Sequence, residues 1–300
     1  MLTRVTSQRV LLTGETGFLG KRVHALLCAD TQLSVVPLSA RLPRLVGATR
    51  LEADVVVHLA AWTTKRAGDS NLPEIVDANV AGLLALLEAL DPPPRRFLFA
   101  STADVYGAGN AGRLREDSPL HPIDAYAASK LLGEHIVKQD ARDRGYQACA
   151  MRIGHLYGPG EQAYEKFVPA AITALMKGRP PTVVGDGTTR RDLLYVDDAA
   201  EAIRRLVLSG DALPEILNLA SPDTYTLNEI AQTLIEIVGF LGRIRYLSDH
   251  ATPPSIGFDT KLLEKVLGPW QRLALTEGLR REIDSVVAAE RLVATSSSPV

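Results

Sequence analysis

The stretch Gly14-Glu15-Thr16-Gly17-Phe18-Leu19-Gly20 decides the fold class of this chain. It follows a short apolar run, residues 10–12, and opens a segment with helical periodicity, residues 20–27. Glycines at this spacing allow a tight turn, and the N–H groups at the start of the following helix suit a pyrophosphate. The order of strand, glycine-rich turn and helix therefore predicts a dinucleotide-binding α/β domain. The residues of the turn that we expect to line the cofactor are Gly14, Thr16, Gly17, Phe18 and Leu19.

Strand-like apolar runs alternate with helical segments through the first half of the chain. The predicted strands are residues 10–12, 33–38, 53–60 and 96–100, and the predicted helices are residues 20–27, 73–90 and 125–144. Short apolar runs that are separated by helices are typical of a parallel sheet with both faces covered. We therefore predict an α/β fold with a doubly wound parallel sheet of the Rossmann type.

The rhythm of the sequence changes halfway along the chain. Glycine, proline and an aromatic residue cluster at residues 157–160, and short β segments replace the regular alternation. This pattern favours a smaller C-terminal lobe that binds the substrate. We expect a dinucleotide-binding domain over residues 1–154 and a substrate domain over residues 155–300. Residues 192–221 are expected to return to the first domain, with residues 193–196 as a strand of its sheet.

The overall composition limits the classes of partner. The 300 residues are 46% hydrophobic and 23% charged with a net charge of −2, so nothing indicates a nucleic acid or an anionic membrane as partner. No run approaches the roughly 18 apolar residues of a membrane helix. Two cysteines, Cys28 and Cys149, form neither a disulfide framework nor a metal-ligand cluster. We expect a cytoplasmic protein without a metal site that acts on a small molecule.

A tyrosine and a lysine lie four residues apart in the predicted helix 125–144. This spacing puts Tyr126 and Lys130 on one face of the helix. A phenol with its ordinary pKa of about 10 is a poor base at neutral pH, and a nearby ammonium group stabilises the phenolate. We therefore expect Lys130 to lower the pKa of Tyr126, and Tyr126 to exchange a proton with a hydroxyl or carbonyl of the substrate.

Further motifs accompany this pair. They are, in chain order, Thr13–Gly20, His58-Leu59-Ala60-Ala61, Ser101-Thr102-Ala103-Asp104-Val105-Tyr106-Gly107, Tyr126-Ala127-Ala128-Ser129-Lys130 and Arg152–Gly160. As a set they resemble the motifs of the extended short-chain dehydrogenase/reductase family, whose members are epimerases, dehydratases and reductases of nucleotide-activated sugars. The resemblance continues in short blocks as far as residue 279 and covers nearly the entire chain.

The resemblance implies roles for single residues and a homodimer. It makes Thr102 the hydroxyl that hydrogen-bonds the reacting oxygen, Tyr126 the proton-transfer residue and Lys130 the group that holds the nicotinamide ribose. The other cofactor residues that it implies are Leu59, Ala60, Ala61 and Asn79, and the substrate residues are Asp104, His155 and Arg191. Arg191 is the candidate for the diphosphate of a nucleotide-sugar, because a guanidinium group suits phosphate oxygens.

The chain departs from the family pattern on the substrate side. The 4,6-dehydratases of the family carry Asp and Glu where this chain has Ala103 and Asp104, which argues against dehydration. The asparagine that usually touches the substrate is His155 here, and a structural role for this histidine stays open. A second arginine normally found late in the chain has no counterpart in residues 247–254, so the nucleotide part of the substrate is less certain than the sugar.

The cofactor side departs as well. An enzyme that uses NAD usually carries an acidic residue after the second strand for the adenosine ribose. Here Ser39 and Arg41 follow that strand, and no acid appears before Glu52. Because these two side chains suit a 2′-phosphate, the sequence favours NADP over NAD. The short interval before Asp54 also predicts that the third βα unit is shortened or missing.

Four functions fit these observations. Reduction of a keto-sugar by hydride transfer, with Tyr126 as the proton donor, is the first. The alternatives are a nucleotide-sugar epimerase with tightly held NAD, a reductase of a non-nucleotide ketone, and a non-catalytic NADP(H) sensor. The intact set of Thr102, Tyr126 and Lys130 argues against the sensor.

Overall fold

The computed structural model describes residues 7–38, 50–63, 71–107, 112–247 and 255–296. The strands in these ranges are Gln8–Thr13 (β1), Leu33–Leu38 (β2), Val55–His58 (β3), Arg96–Thr102 (β4), Gln147–Ile153 (β5), Leu156–Tyr157 (β6), Thr182–Val184 (β7), Arg190–Asp192 (β8), Leu194–Tyr195 (β9), Ile216–Leu219 (β10), Thr224–Thr226 (β11) and Arg245–Leu247 (β12). The α-helices are Gly20–Cys28 (α1), Leu72–Val76 (α2), Gly82–Ala89 (α3), Ala125–Arg144 (α4), Phe167–Met176 (α5), Val196–Leu208 (α6), Leu227–Val238 (α7), Lys261–Leu267 (α8) and Leu275–Ser296 (α9). A π-helical segment, Asp77–Ala81, joins α2 to α3, and 3-10 turns occupy Ala103–Tyr106 and Glu161–Ala163.

Six parallel strands form the central sheet in the order β10-β5-β4-β3-β1-β2. Because β1 lies between β2 and β3, the connections diverge at this point and leave a crevice at the carboxyl ends of the strands. This order confirms the predicted doubly wound α/β sheet. In the described part of the chain β2 is the edge strand beside β1, in agreement with a shortened third βα unit.

Helices cover both faces of the sheet. On one face Val10 and Leu12 of β1 belong to an apolar cluster with side chains of α1 and α6. On the other face Leu11 of β1 and Val56 of β3 pack with side chains of α3 and α4. Since both faces are buried, each strand needs apolar side chains at successive positions, which explains the continuous apolar runs in the sequence.

Short sheets and three helices build the second lobe. β6 pairs with β9, β7 with β12 and β8 with β11. Helices α5, α7 and α9 enclose a separate apolar core that includes Ile172, Leu234 and Leu279. Because β6 follows β5 almost directly, this lobe begins at the carboxyl edge of the central sheet, where the crevice opens.

The predicted return of residues 193–196 to the central sheet is wrong. Strand β9 pairs with β6 instead, and the Leu194 N–H donates to the His155 carbonyl at 3.0 Å. Helix α6 begins at Val196, directly after β9, so no length of chain remains there for a strand of the sheet. Within residues 192–221 the chain returns through α6, which covers the sheet, and through β10, which pairs with β5. The domain boundary after residue 154 stays a prediction.

Candidate active site

The glycine-rich turn between β1 and α1 has no room for a Cβ atom at Gly14 or Gly20. Gly14 has a φ of +76°, and a Cβ atom there would lie 2.6 Å from the Ala60 nitrogen. A Cβ atom on Gly20 would lie 1.9 Å from the Gly14 oxygen, which accepts a hydrogen bond from the Gly17 N–H at 3.0 Å. Leu19, at the N-cap position of α1, offers no side-chain hydrogen bond to the helix. A tight turn below such a helix N-terminus fits a pyrophosphate.

The remaining cofactor residues predicted near this turn lie around it. Phe18 is half-buried, with its ring 6.1 Å from the Tyr164 ring. Thr16 is exposed, and Leu59, Ala60 and Ala61 are half-buried where the chain leaves β3. The turn and the end of β3 therefore line one edge of the crevice.

Thr13 and His58 tie the ends of β1 and β3 together. The Thr13 Oγ1 lies 2.8 Å from the His58 Nδ1 and accepts a hydrogen bond from the Ala60 N–H at 3.1 Å. The His58 ring stacks on Phe99 at 5.8 Å, and burial, assisted by Lys130, lowers the pKa of His58 to about 3. A neutral, buried imidazole of this kind fixes the backbone at the predicted cofactor site and does not exchange protons near neutral pH.

Asn79 braces the loop after β3 against the helix that carries the tyrosine. Its Oδ1 accepts from the Trp62 N–H at 2.7 Å, and its Nδ2 donates to the Trp62 carbonyl at 3.1 Å and to the Ser129 Oγ at 2.9 Å. Ser129 in turn donates to the Tyr126 carbonyl at 2.7 Å. The π-helical turn that carries Asn79 is a feature frequent at functional sites. Direct contact of Asn79 with the cofactor stays a prediction.

The predicted catalytic residues meet where β4 ends and α4 begins. Thr102 closes β4, its Oγ1 donates to the Asp104 Oδ2 at 3.0 Å, and it accepts from the Asp104 N–H at 3.2 Å. Asp124 caps α4 by accepting from the Ala127 N–H at 2.7 Å, which fixes the first turn of the helix. Tyr126 lies in that turn, close enough to the Thr102 side chain for Thr102 to lower its pKa. The Thr102 hydroxyl and the Tyr126 phenol thus lie beside each other in the crevice.

Burial dominates the electrostatics of this group. It raises the pKa of Tyr126 above the ordinary value, and Asp104 raises it further, while the bond with Thr102 lowers it. The expectation that Lys130 lowers this pKa is therefore wrong for the structure as it stands. The Lys130 Nζ donates to the Ala100 carbonyl at 2.7 Å and lies 5.0 Å from the centre of the Phe99 ring, and burial lowers its pKa to about 7. Tyr126 is a protonated phenol at neutral pH.

A buried ion pair behind the catalytic residues escapes prediction from the sequence. The Arg152 Nε and Nη2 donate to the two oxygens of Glu134 at 3.0 and 2.8 Å, and both side chains are 4% exposed. The Ser101 Oγ donates to the same carboxylate at 2.5 Å. The pair therefore joins β5, α4 and the end of β4, three elements that meet at the site. The family motif includes Arg152, but no local signal marks Glu134 as its partner.

Arg152 extends this network toward the second lobe. Its Nη1 donates to the Tyr106 hydroxyl at 3.1 Å and to the Glu116 carbonyl at 3.0 Å. The Tyr106 hydroxyl donates to the Asn218 Oδ1 at 2.6 Å, which brings in β10. The 3-10 turn after Thr102 is therefore held from below by hydrogen bonds to two strands of the sheet.

His155 and Asp192 form a second polar pair at the same sheet edge. Ile153, two residues before His155, pairs with Thr102 in the register of β4 and β5. The His155 Nδ1 lies 2.7 Å from the Asp192 Oδ1, and the Asp192 carboxylate is fully buried, whereas the imidazole is 30% exposed. Asp192 thus orients the ring of His155. Contact of His155 with substrate stays a prediction.

Arg191 lies farther out, in β8, opposite Tyr225 of β11. Its Nη1 donates to the Arg190 carbonyl at 3.0 Å, and burial lowers its pKa. The neighbouring Asp192 raises this pKa in part. Ser39, Arg41 and residues 248–254 lie outside the described residues.

The sequence and the structure match known proteins along most of the chain. A profile of the NAD dependent epimerase/dehydratase family matches residues 10–220. The dTDP-glucose 4,6-dehydratase of Mycolicibacterium smegmatis is 30% identical over 259 residues, which are 77% of this chain and 78% of that protein. RMD from Pseudomonas aeruginosa, complexed with NADPH, has a TM-score of 0.82 at 25% identity, over 95% of this chain and 99% of that one. MoeE5, in complex with UDP-glucose and NAD, has a TM-score of 0.80 at 27% identity, over 94% and 99%.

The chain belongs to the NAD-dependent epimerase/dehydratase family, that is, to the extended short-chain dehydrogenases/reductases. It is an NAD(P)-dependent enzyme of the nucleotide-sugar epimerase, dehydratase and reductase type. Both the resemblance and the enzymatic nature predicted from the sequence are confirmed. Among the helices of the described residues, none has the length and apolar character needed to cross a bilayer.

The buried ion pair gives a stability prediction. We expect Arg152→Met to cost about 3–5 kcal/mol of unfolding free energy, because Glu134 would remain buried without its cation. The double variant Arg152→Met/Glu134→Leu is expected to recover more than half of that loss. Urea unfolding followed by circular dichroism measures both.

Arg142→Met is the matched control for this experiment. Arg142 also lies on α4 but is 60% exposed and pairs with Glu215 at the surface, so its loss should cost less than about 1 kcal/mol. If Arg152→Met costs no more than Arg142→Met, the pair does not hold α4 to β5.

Proposed function

We propose that the enzyme reduces a keto group on a nucleotide-linked sugar, or runs the reverse oxidation. A bound nicotinamide would supply the hydride. Tyr126 donates the proton to the carbonyl oxygen, Thr102 hydrogen-bonds that oxygen and Lys130 holds the nicotinamide ribose. The observation that carries this proposal is the placement of Thr102 at the end of β4 beside α4, whose first turns carry Tyr126 and Lys130. A reductase needs a proton donor such as Tyr126.

The residues after Thr102 support reduction over dehydration. A 4,6-dehydratase needs an acid and a base beside the sugar, and this chain has Ala103 at the first of these two positions. Ala103 is buried in an apolar cluster with Tyr106 and Phe258, where a carboxylate would be desolvated. Asp104 is exposed and bonded to Thr102, so one carboxylate remains to orient the hydroxyl.

The role of Tyr126 is tested by Tyr126→Phe. We expect turnover of a UDP-linked 4-keto-6-deoxy sugar with NADPH to fall by at least about a hundredfold, because the proton donor is lost. The affinity for NADPH should change less than twofold (about 0.4 kcal/mol). Steady-state kinetics and fluorescence titration measure the two quantities.

Tyr146→Phe is the control, since Tyr146 bonds Asp140 at the far end of α4. Activity of Tyr126→Phe within about tenfold of the wild type would remove Tyr126 from the proton transfer.

Epimerisation is the second candidate. The same residues would return the hydride to the opposite face of the keto-sugar, and the likeness to MoeE5, solved with UDP-glucose and NAD, favours this reading. The two reactions differ in cofactor retention. An epimerase purified from cells would release about one nicotinamide dinucleotide per chain on denaturation, whereas a reductase would exchange its cofactor at each turnover.

We propose NADP as the preferred cofactor, because Ser39 and Arg41 stand where an acid would favour NAD. We expect Arg41→Ala to weaken NADPH binding by about tenfold and to leave NADH binding nearly unchanged, since a charge-assisted bond to a phosphate is lost. Fluorescence titration with both cofactors measures the difference. Tighter binding of NADH than of NADPH by the wild type would contradict the assignment and strengthen the case for an epimerase.

Arg191 is proposed to bind the diphosphate of the substrate. In Arg191→Ala the affinity for UDP should fall about tenfold to over a hundredfold, as expected for about 1.5–3 kcal/mol. The melting temperature and NADPH affinity should hold. Isothermal titration calorimetry and a thermal melt measure these quantities.

Arg190→Ala is the matched control, because Arg190 is exposed and donates to the Thr224 carbonyl. If Arg191→Ala lowers the melting temperature and leaves UDP binding intact, the arginine is structural. A ketone without a nucleotide would then be the better substrate.

A homodimer and a cytoplasmic location remain proposals. Apolar side chains on neighbouring helices support the dimer, because they are about half exposed and would be buried by a second copy. They are Leu72 (56%), Val76 (56%), Leu84 (49%) and Leu132 (47%).

A further inference from the structure

Two buried carboxyl groups in the second lobe have unpartnered oxygens. Glu282 of α9 is fully buried, and neither of its carboxylate oxygens accepts a hydrogen bond within the described residues. Glu161, in the 3-10 turn after β6, is 2% exposed, and its Oε2 is equally unpartnered there. A buried carboxylate without a partner is strongly disfavoured, so these three oxygens need a physical explanation.

The two carboxyl groups face each other. Glu161 and Glu282 lie within hydrogen-bonding reach, and each makes up part of the other's electrostatic environment. The Lys166 Nζ lies 3.0 Å from the Glu161 Oε1 and is the cation that pairs with this site within the described residues. His155 faces Glu161, and the Tyr157 phenol and the Gly158 N–H face Glu282. One cation against two carboxylates leaves a buried negative charge.

A single proton accounts for two of these three oxygens and for the charge. If Glu282 is a carboxylic acid, its O–H donates to Glu161, which gives the Glu161 Oε2 and one Glu282 oxygen a partner and makes the site neutral. Burial raises the pKa of both groups, which agrees with a proton retained at neutral pH.

Glu161 connects this site to the candidate active site. The Tyr164 N–H donates to the Glu161 carbonyl at 2.8 Å, and the Tyr164 ring lies 6.1 Å from Phe18 of the glycine-rich turn. Lys166 bonds Glu161 and also lies 5.4 Å from the centre of the Tyr164 ring. A change at Glu161 is therefore transmitted to a ring that packs on the cofactor turn.

We propose that Glu161 and Glu282 share one proton, and that this hydrogen bond holds the loop 158–166 against α9 and so positions Tyr164 beside the cofactor. Both glutamates are positioning residues. The second half of the proposal rests on the proposed cofactor site at Phe18. The first half, the shared proton, is independent of it.

The shared proton has a defined effect on stability. Glu282 is ionised in the unfolded chain above the ordinary glutamate pKa of about 4.3, and it is protonated in the folded chain until about pH 9. Folding therefore takes up a proton in this window, and the pair costs more stability as the pH rises through it. Glu282→Gln supplies an amide donor in place of the O–H and removes this dependence.

The experiment compares thermal melts of the wild type and Glu282→Gln from pH 5 to pH 9. We expect the melting temperature of Glu282→Gln, relative to that of the wild type, to rise by several degrees from pH 5 to pH 9. Glu277→Gln is the matched control, since Glu277 lies on the same helix in a half-exposed pair with Arg281 and should give a pH-independent difference. Parallel curves for the wild type and Glu282→Gln overturn the shared proton. A melting temperature that CaCl₂, MgCl₂ or NaCl raises in the wild type but not in Glu282→Gln also overturns it, because a cation would then occupy the site.

The positioning role is read from NADPH affinity. As the pH rises from 7 to 9.5, the NADPH affinity of the wild type should fall by roughly severalfold relative to that of Glu282→Gln, because the pair loses its proton over this range. The ratio cancels any titration that both proteins share, including that of Lys130. If the ratio of the two NADPH affinities stays constant with pH while the melting temperatures diverge, the positioning role alone is overturned. A wild type that fails to bind NADPH or NADH at pH 7 overturns the proposed cofactor site, and the melts still decide the shared proton.

Discussion

The ion pair between Arg152 and Glu134 is the interaction on which the rest of the site depends. It is 4% exposed on both sides, so the cost of removing two charges from water is offset only if their hydrogen bonds are met. Ser101 donates a hydrogen bond to Glu134, and Tyr106 accepts one from Arg152. These two residues lie at the ends of the segment 101–106. Because Thr102 lies inside that segment and Tyr126 lies on the same helix as Glu134, the pair ties together the two elements that carry the proposed catalytic side chains.

The same burial that makes this pair costly also controls proton affinities around the crevice. Burial shifts three pKa values in the direction that favours the neutral form. The pKa of Tyr126 is raised, and the pKa values of Lys130 and His58 are lowered. Phe99 contributes to this environment from below, since His58 stacks on its ring and the Lys130 ammonium lies over it. The sheet thus acts as a low-dielectric base on which a phenol keeps its proton.

The second lobe repeats this principle at a distance from the reacting groups. Its polar residues are placed by buried carboxylates, as when Asp192 orients His155. The chain returns from this lobe to the central sheet through α6 and β10. Strands β6 and β9 pair with each other and not with the central sheet.

Local features, which depend on residues close together in the chain, can be predicted from the sequence alone. The glycine spacing from Gly14 to Gly20 defined the turn, and helical periodicity gave α4 its observed bounds, residues 125–144, because caps and steric limits are local. Which charged side chains pair, and how their pKa values shift, depends on the tertiary structure. Arg152 finds Glu134, β9 leaves the central sheet, and the pKa of Tyr126 rises where helix spacing alone predicted a fall. Desolvation depends on everything packed around a group, and no window of sequence contains that information.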